Sequence, residues 1–419
     1  MSPAPAAAWA LAALAGLAMV VPVPLVVLAA LAVAAATTVD ALAVRRAPAV
    51  SRRLATVLAR GVPAPLAVSA TAAGAGRVAV RQPGTPDLAV EPSEAPGGEL
   101  SAVVVPRRRG RHRLPGVAVR AEGPLGLGRW DHGGAEEADV VVYPDVPAAR
   151  RLALAVRQGR FGEQGRLRRG PLGLGTEFES VRDYSPDDDI RQVNWRATAR
   201  LERPMSNQYR VDQDRDVVVV VDAGRLMAAP LPGHPPLTRL DAVLDAATAV
   251  GLVADEMGDR CGAVAFDAEV RRRLPPRRRG GRAVVDALFD LEPAPVDSDY
   301  ELAFRTAGRA KRSLVVVLTD LLEEGAARPL VGAVPVLARR HAVVVASVAD
   351  PDLARIVATP PATPLDAYAA SVAVEVLDAR DRVAHQLARA GAEVVQAPPG
   401  RLAAACVSAY LGLKRRARV

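Results

Sequence analysis

A doubly wound α/β domain, preceded by a small all-β, sandwich-like domain and an N-terminal apolar hairpin, is the architecture this sequence predicts. Three observations predict it. From Ala6 to Val39 no residue is charged, and Asp40 is the first that is. From about Leu54 to Asp145 short apolar runs are punctuated by Pro and Gly, without long helical periodicity. From Asp216 onward apolar runs alternate with amphipathic stretches, the pattern of a mostly parallel sheet covered on both faces. At 419 residues the chain exceeds one ordinary domain, so two folded units are expected besides the hairpin.

The uncharged span is too long for one membrane crossing, which needs about 20 residues, and Pro22 and Pro24 interrupt it. Two short helices in a transmembrane hairpin over residues 1–44 fit best. A secretory signal requires a basic leading segment, which the span lacks. Arg45, Arg46, Arg52, Arg53 and Arg60 follow it. Cationic flanks stay on the cytoplasmic side, so the expectation is a cell-membrane protein with lipid around the hairpin and its folded domains in the cytoplasm.

Residues 45–148 form the expected membrane-proximal β domain, with strand-like runs Leu66–Ala70, Arg77–Val80, Leu100–Val105, Val117–Ala121 and Val140–Tyr143. His112 and His132 stand alone there and read as structural. Residues 149–215 are expected to hold a linker and a segment dense in polar and charged groups. Residues 216–419 form the α/β domain. Its expected strands are Asp216–Val221, Cys261–Phe266, Val270–Leu274 as an antiparallel edge, Ser313–Thr319, Ala342–Ser347, Val372–Leu377 and Ala392–Val395. Its expected helices are Thr238–Met257, Gly281–Leu291, Tyr300–Arg309, Ala327–Arg340, Arg380–Ala390 and Gly400–Lys414.

Hydrophobic residues make up 50% of the chain but aromatics only 3%, so the core is built from Ala, Val and Leu. The pI of about 10.1 raises nucleic-acid binding. Against that reading, the basic runs Arg107–Arg109, Arg168–Arg169, Arg271–Arg273 and Arg277–Arg279 are scattered and lack interleaved aromatics for base stacking. No nucleic-acid partner is expected. Cys261 and Cys406 lie in apolar contexts without metal spacing and read as small buried hydrophobes.

Between Gly173 and Met227 the chain reads GLGTEFESVRDYSPDDDIRQVNWRATARLERPMSNQYRVDQDRDVVVVVDAGRLM. This segment, GxGxEFxxxRxYxPxDDxRxxNWRAxAR and then an apolar strand closed by DxGRxM, resembles the domain of unknown function 58 family, whose members carry a von Willebrand factor type A-like domain. The resemblance implies that fold for residues 216–419. It also implies a MoxR-type AAA+ ATPase as partner and a role in maturation or assembly of membrane or envelope complexes.

In von Willebrand type A domains a divalent cation sits at the strand ends, held by a DxSxS loop, a threonine and a further aspartate. Here Asp222 and Asp320 match the two aspartates, Gly224 and Leu226 occupy the serine positions, and the threonine position falls near Ser298 or Asp299 without a clear match. The expectation is a degenerate site with weak Mg²⁺ binding or none, because Mg²⁺ demands octahedral oxygen geometry. Arg225 is the candidate internal cation between the carboxylates.

Glu177, Arg182, Tyr184, Asp187, Asp188, Asp189, Arg191, Asn194, Trp195, Arg196 and Arg200 form a mixed-charge set suited to structural pairing or to partner binding. Trp195 reads as a packing anchor. No His or nucleophile accompanies the acids, and Gly170–Gly175 lacks the Lys-Ser/Thr of a phosphate loop. The expected function is a non-catalytic, membrane-anchored interaction or assembly module without cofactor. A divalent-metal-dependent adhesion domain is the alternative, and a hydrolase a distant third.

Overall fold

The computed structural model describes residues 1–133, 137–160, 177–185, 193–210, 215–308, 312–321 and 324–416. They form two compact units, Met1–Tyr143 and Pro144–Val419. The chain is mixed α/β.

The first unit contains β1 (Ser2–Pro3), α1 (Pro5–Leu17), α2 (Val23–Ala43), β2 (Ala49–Arg53), β3 (Val57–Ala59), β4 (Ala64–Thr71), β5 (Arg77–Arg81) and β6 (Leu88–Glu91). It continues with β7 (Glu94–Pro96), β8 (Glu99–Pro106), β9 (Gly110–Leu114), β10 (Ala118–Glu122), β11 (Gly128–His132) and β12 (Ala138–Tyr143). These pair in three sheets, ordered β1-β11-β10-β5-β7, β2-β4-β8-β6 and β3-β12-β9. Period-two alternation explains the packing: in β8 Leu100, Ala102 and Val104 turn inward while Glu99, Ser101 and Val103 face out. The inward set joins Leu66, Val68, Val80 and Val142 in one core.

Of the two helices before this sheet core, α2 is long and apolar enough to cross a membrane, with a mean hydropathy of 2.2. Helix α1 has 13 residues and falls short of that.

The second unit contains α3 (Val146–Arg157), β13 (Glu177–Asp183), α4 (Trp195–Leu201), β14 (Met205–Arg210), β15 (Asp216–Asp222), α5 (Arg239–Glu256), β16 (Arg260–Phe266), β17 (Val270–Arg278) and α6 (Gly281–Leu288). After these come α7 (Tyr300–Ala307), β18 (Ser313–Leu318), α8 (Glu324–Ala338), β19 (Ala342–Val348), α9 (Pro351–Ala358), α10 (Pro364–Arg389), β20 (Ala392–Ala397) and α11 (Pro399–Arg416). The central sheet has the order β17-β16-β15-β18-β19-β20, parallel except for the β16–β17 hairpin. Strand β15 shows why it is central. Val217, Val219 and Val221 pack into the cluster under α5 and α11, while Val218 and Val220 pack into the cluster under α7 and α8. A strand buried on both faces has no place for a polar side chain until it ends.

Two expectations change. The segment read as a linker from Ala148 carries α3, whose Ala149 and Ala153 are buried in the same cluster as α5. The strand expected at Val372–Leu377 lies inside α10. A capping box at Thr363 and Asp366 with Pro364 in the first turn starts that helix, and Gly391 at φ +98° follows its end. A Val-rich run, Val-Ala-Val-Glu-Val-Leu, yielded to these stronger start and stop signals.

Candidate functional site

The parallel strands β15 and β18 end side by side, which brings together residues far apart in sequence. Asp222, the last residue of β15, is 1% exposed. One carboxylate oxygen accepts from the Gly224 amide at 2.8 Å and the Ser298 hydroxyl at 2.5 Å. The other accepts from the Tyr300 hydroxyl at 2.8 Å and Thr319 Oγ1 at 2.6 Å. Ser298 reaches it because position 224 is glycine: a Cβ there would sit 2.1 Å from Ser298 Oγ. Glycine at 224 and the Ser298 contact to Asp222 therefore go together. Burial drives the Tyr300 phenol well above its ordinary pKa, and the Asp222 charge adds to the shift. Phe266 packs edge-on against Tyr300, with ring centroids 5.4 Å apart.

Asp320, beyond the end of β18, is equally buried. Its charged partners are two arginines. Arg239 Nη1 lies 2.8 Å and Arg380 Nη2 3.7 Å from its oxygens, with all three side chains 5% exposed or less. Neither guanidinium is aligned for a good hydrogen bond, so the contact is charge pairing. Burial pushes the Asp320 carboxyl up, while Arg239 and Arg380 hold it back.

These residues do not fit a divalent cation as they stand. The Gly224 amide and the Ser298, Tyr300 and Thr319 hydroxyls all donate to Asp222, and a metal beside Asp320 would face two buried guanidinium groups. Among the described residues no three His, Cys, Asp or Glu side chains gather as a metal site. Beside Asp222 opens a cavity of about 350 Å³ whose lining includes Arg225, Leu226, Asp297 and Ser298.

Arg225 was expected to neutralise the two aspartates. It instead pairs with Asp297 at 2.5 Å, and Arg239 and Arg380 hold Asp320. The reason is reach: Arg225 lies in a short 3₁₀ turn directly after β15, whereas Arg239 starts α5 with its side chain buried.

In the signature segment, Asp187, Asp188, Asp189 and Arg191 lie outside the described residues. Glu177 opens β13, which pairs antiparallel with β14. Arg182 Nη1 donates to the Asp183 carbonyl at 3.1 Å, and Asp183 pairs with Arg203 at 3.3 Å. The Tyr184 amide donates to the Pro204 carbonyl. Asn194 caps α4, accepting from the Ala197 amide at 2.9 Å, and donates to Asn207 Oδ1 at 2.7 Å. Arg196 and Arg200 are exposed. Trp195 is not the packing anchor expected, because it is 69% exposed. As the first residue of a helix with no buried residue, it is turned to the surface. Cys261 and Cys406 are buried free thiols, and burial pushes Cys406 up to about 12.

Arg239, Tyr300, Thr319 and Arg380 were missed by reading the sequence. Arg380 did leave a signal: Ala373, Arg380 and Leu387 recur at intervals of seven on the buried face of α10, and a charge in an apolar repeat marks a buried ion pair. Tyr300 and Thr319, 78 and 97 residues from Asp222, left none.

A mixed α/β chain with an apolar hairpin and a strand-end aspartate site is the class defined by these features. The chain belongs to the family described as Protein of unknown function DUF58, whose model matches residues 180–393. It is 30% identical over 221 residues to Uncharacterized protein Rv1480 of Mycobacterium tuberculosis (strain H37Rv) and to Uncharacterized protein Mb1516 of Mycobacterium bovis. Each match covers 50% of this chain and 66% of the relative, so this chain spans just under two thirds of the relatives' length. Among solved structures, an uncharacterized membrane spanning protein from Vibrio fischeri is similar at 16% identity with a TM-score of 0.16, over 48% of this chain and 98% of that one.

Proposed function

We propose that this chain is a membrane-anchored, non-catalytic interaction module that works with a MoxR-type AAA+ ATPase in maturation or assembly of membrane or envelope complexes. In this reading the α/β unit is a von Willebrand type A-like domain whose cation place has been filled from within by Arg239 and Arg380. Its folded units lie in the cytoplasm, as the arginines after Ala43 favour.

The observation that carries the reading is Trp195, 69% exposed and followed in α4 by the exposed Arg196 and Arg200. Trp and Arg are the side chains that dominate binding hot spots, and here they stand together and exposed on one short helix. Capture of the ATPase by the detergent-solubilised full chain tests it. Trp195→Ala with Arg196→Ala should lose at least about tenfold in affinity, roughly 1.4 kcal/mol or more. Equal capture by that variant, with an unchanged melting temperature, removes the docking idea.

The adhesion alternative draws on the convergence of Asp222, Ser298 and Thr319 at one strand end. Calorimetric titration with Mg²⁺ and Mn²⁺ separates the two readings. We expect no saturable binding; micromolar binding abolished by Asp222→Ala would favour the alternative. Active alkaline phosphatase fused after Val419, with a dark fluorescent-protein fusion at the same place, would overturn the cytoplasmic assignment.

A further inference from the structure

Both ends of the α1–α2 hairpin are fastened to the same turn of the β unit. At the start, Ser2 and Pro3 pair antiparallel with Arg129 and Gly128, the Ala4 amide donates to the Leu127 carbonyl at 2.8 Å, and Arg129 Nε donates to Ser2 Oγ at 2.8 Å. At the finish, the Asp40 carboxylate accepts from the amides of Leu125, Leu127 and Gly128, each at 2.9 Å. The fit is close. A Cβ on Gly128 would lie 2.3 Å from the Thr37 carbonyl oxygen, and one on Gly123 would lie 2.2 Å from the Asp40 carboxyl. Entry and exit are thus on one side.

One arm of the hairpin is short. Thirteen residues of α1 rise about 20 Å against a hydrocarbon core of about 30 Å, whereas α2 rises about 27 Å from Val23 to Asp40 alone. The hairpin's tip carries no polar or charged side chain. Residues 18–22 read AMVVP, with Met19 91% and Val20 85% exposed. In hydrocarbon a backbone amide must be bonded within the protein. The amides of Ala18, Met19, Val20 and Val21 donate back to carbonyls of α1, those of Leu25 and Val26 donate to the Pro22 carbonyl, and Pro22 and Pro24 have no N–H at all. Thr37 and Thr38 return their hydroxyls to the carbonyls of Val33 and Ala34. The outward faces carry Trp9, Leu25, Leu28 and Leu31, all more than half exposed.

We propose that this hairpin is a re-entrant anchor that enters and leaves the bilayer through one face and keeps its tip within the hydrocarbon. It rests on the membrane reading above but departs from a hairpin of two crossings. Single cysteines in the full chain test it, with an impermeant maleimide applied to right-side-out and inside-out vesicles. Met19→Cys probes the tip and Arg46→Cys, an exposed site beyond α2, probes the base. Both native thiols are buried. Arg46→Cys should label from one face only, and Met19→Cys from neither until detergent is added. Labelling of Met19→Cys from the face opposite Arg46 would establish a crossing and overturn the proposal. Labelling from the same face would place the hairpin on the surface and overturn it equally. Release of the wild-type chain by alkaline carbonate would instead remove the membrane reading, an outcome distinct from both.

Discussion

Asp40 and Asp320 are both aspartates about 2–3% exposed, yet the two units neutralise them by opposite means. In the β unit Asp40 is held by three backbone amides of one turn, donors that no side-chain substitution removes. In the α/β unit Asp320 depends on two arginines from α5 and α10. Amides provide a fixed receptor for one charge. Guanidinium groups bring full charges of their own, which must then be matched, so the second arrangement fails harder when one member is lost.

The largest expected effect follows from that difference. Asp320→Asn leaves Arg239 and Arg380 as neighbouring buried cations, and unfolding should become easier by about 3–5 kcal/mol, read as a drop in melting temperature of the detergent-solubilised chain. Replacing all three by Leu or Met of similar volume should restore most of it; failure to recover would mean that the pairing carries more than its own charge balance. Next comes Asp40→Asn, which keeps the shape but loses the charge that three amides point to. A cost of about 1.5–3 kcal/mol is expected, seen as faster hydrogen exchange at Leu125, Leu127 and Gly128. If exchange there is unchanged while the α/β unit loosens, the comparison is wrong.

Gly224→Ser should cost about 1–3 kcal/mol by driving Ser298 off Asp222. Adding Ser298→Gly should relieve part of that cost, since the clash is between those two positions. The smallest effect is a pH dependence. His341 accepts from the Ser313 amide at 3.3 Å, and burial, with Arg340 beside it, lowers its pKa. A lowered histidine pKa means that the unfolded chain binds the proton more readily. Stability is therefore present above the ordinary histidine pKa and is lost as pH falls through the folded value. Melting curves below neutral pH should show this loss in the wild type and less of it in His341→Gln.

How much of this was legible in the sequence depends on the range of the signal. The five-valine run of β15 with Asp222 at its end announces a buried central strand, because no other local arrangement suits that composition. The uncharged span before Asp40 announces the hairpin in the same way. Its shared fastening was not legible, since the pairing of Ser2 with Arg129 joins residues 127 apart. Trp195 was misread for a related reason. A rare aromatic among small residues reads as a core residue, and only its place at the start of an exposed helix says otherwise. The neutralisation of Asp320 was missed because Arg225, the arginine next to Asp222 in sequence, was credited over the buried Arg239 and Arg380.

The double fastening at Gly123–Arg129 has a mechanical side. A tether held at one end can swivel and can be peeled from that end bond by bond. Here strand pairing on one arm and the Asp40 clasp on the other share any pull, and both must give way together. The hairpin and the β unit therefore turn as one piece, and a torque applied to the sheets is delivered to the helices without a joint between them.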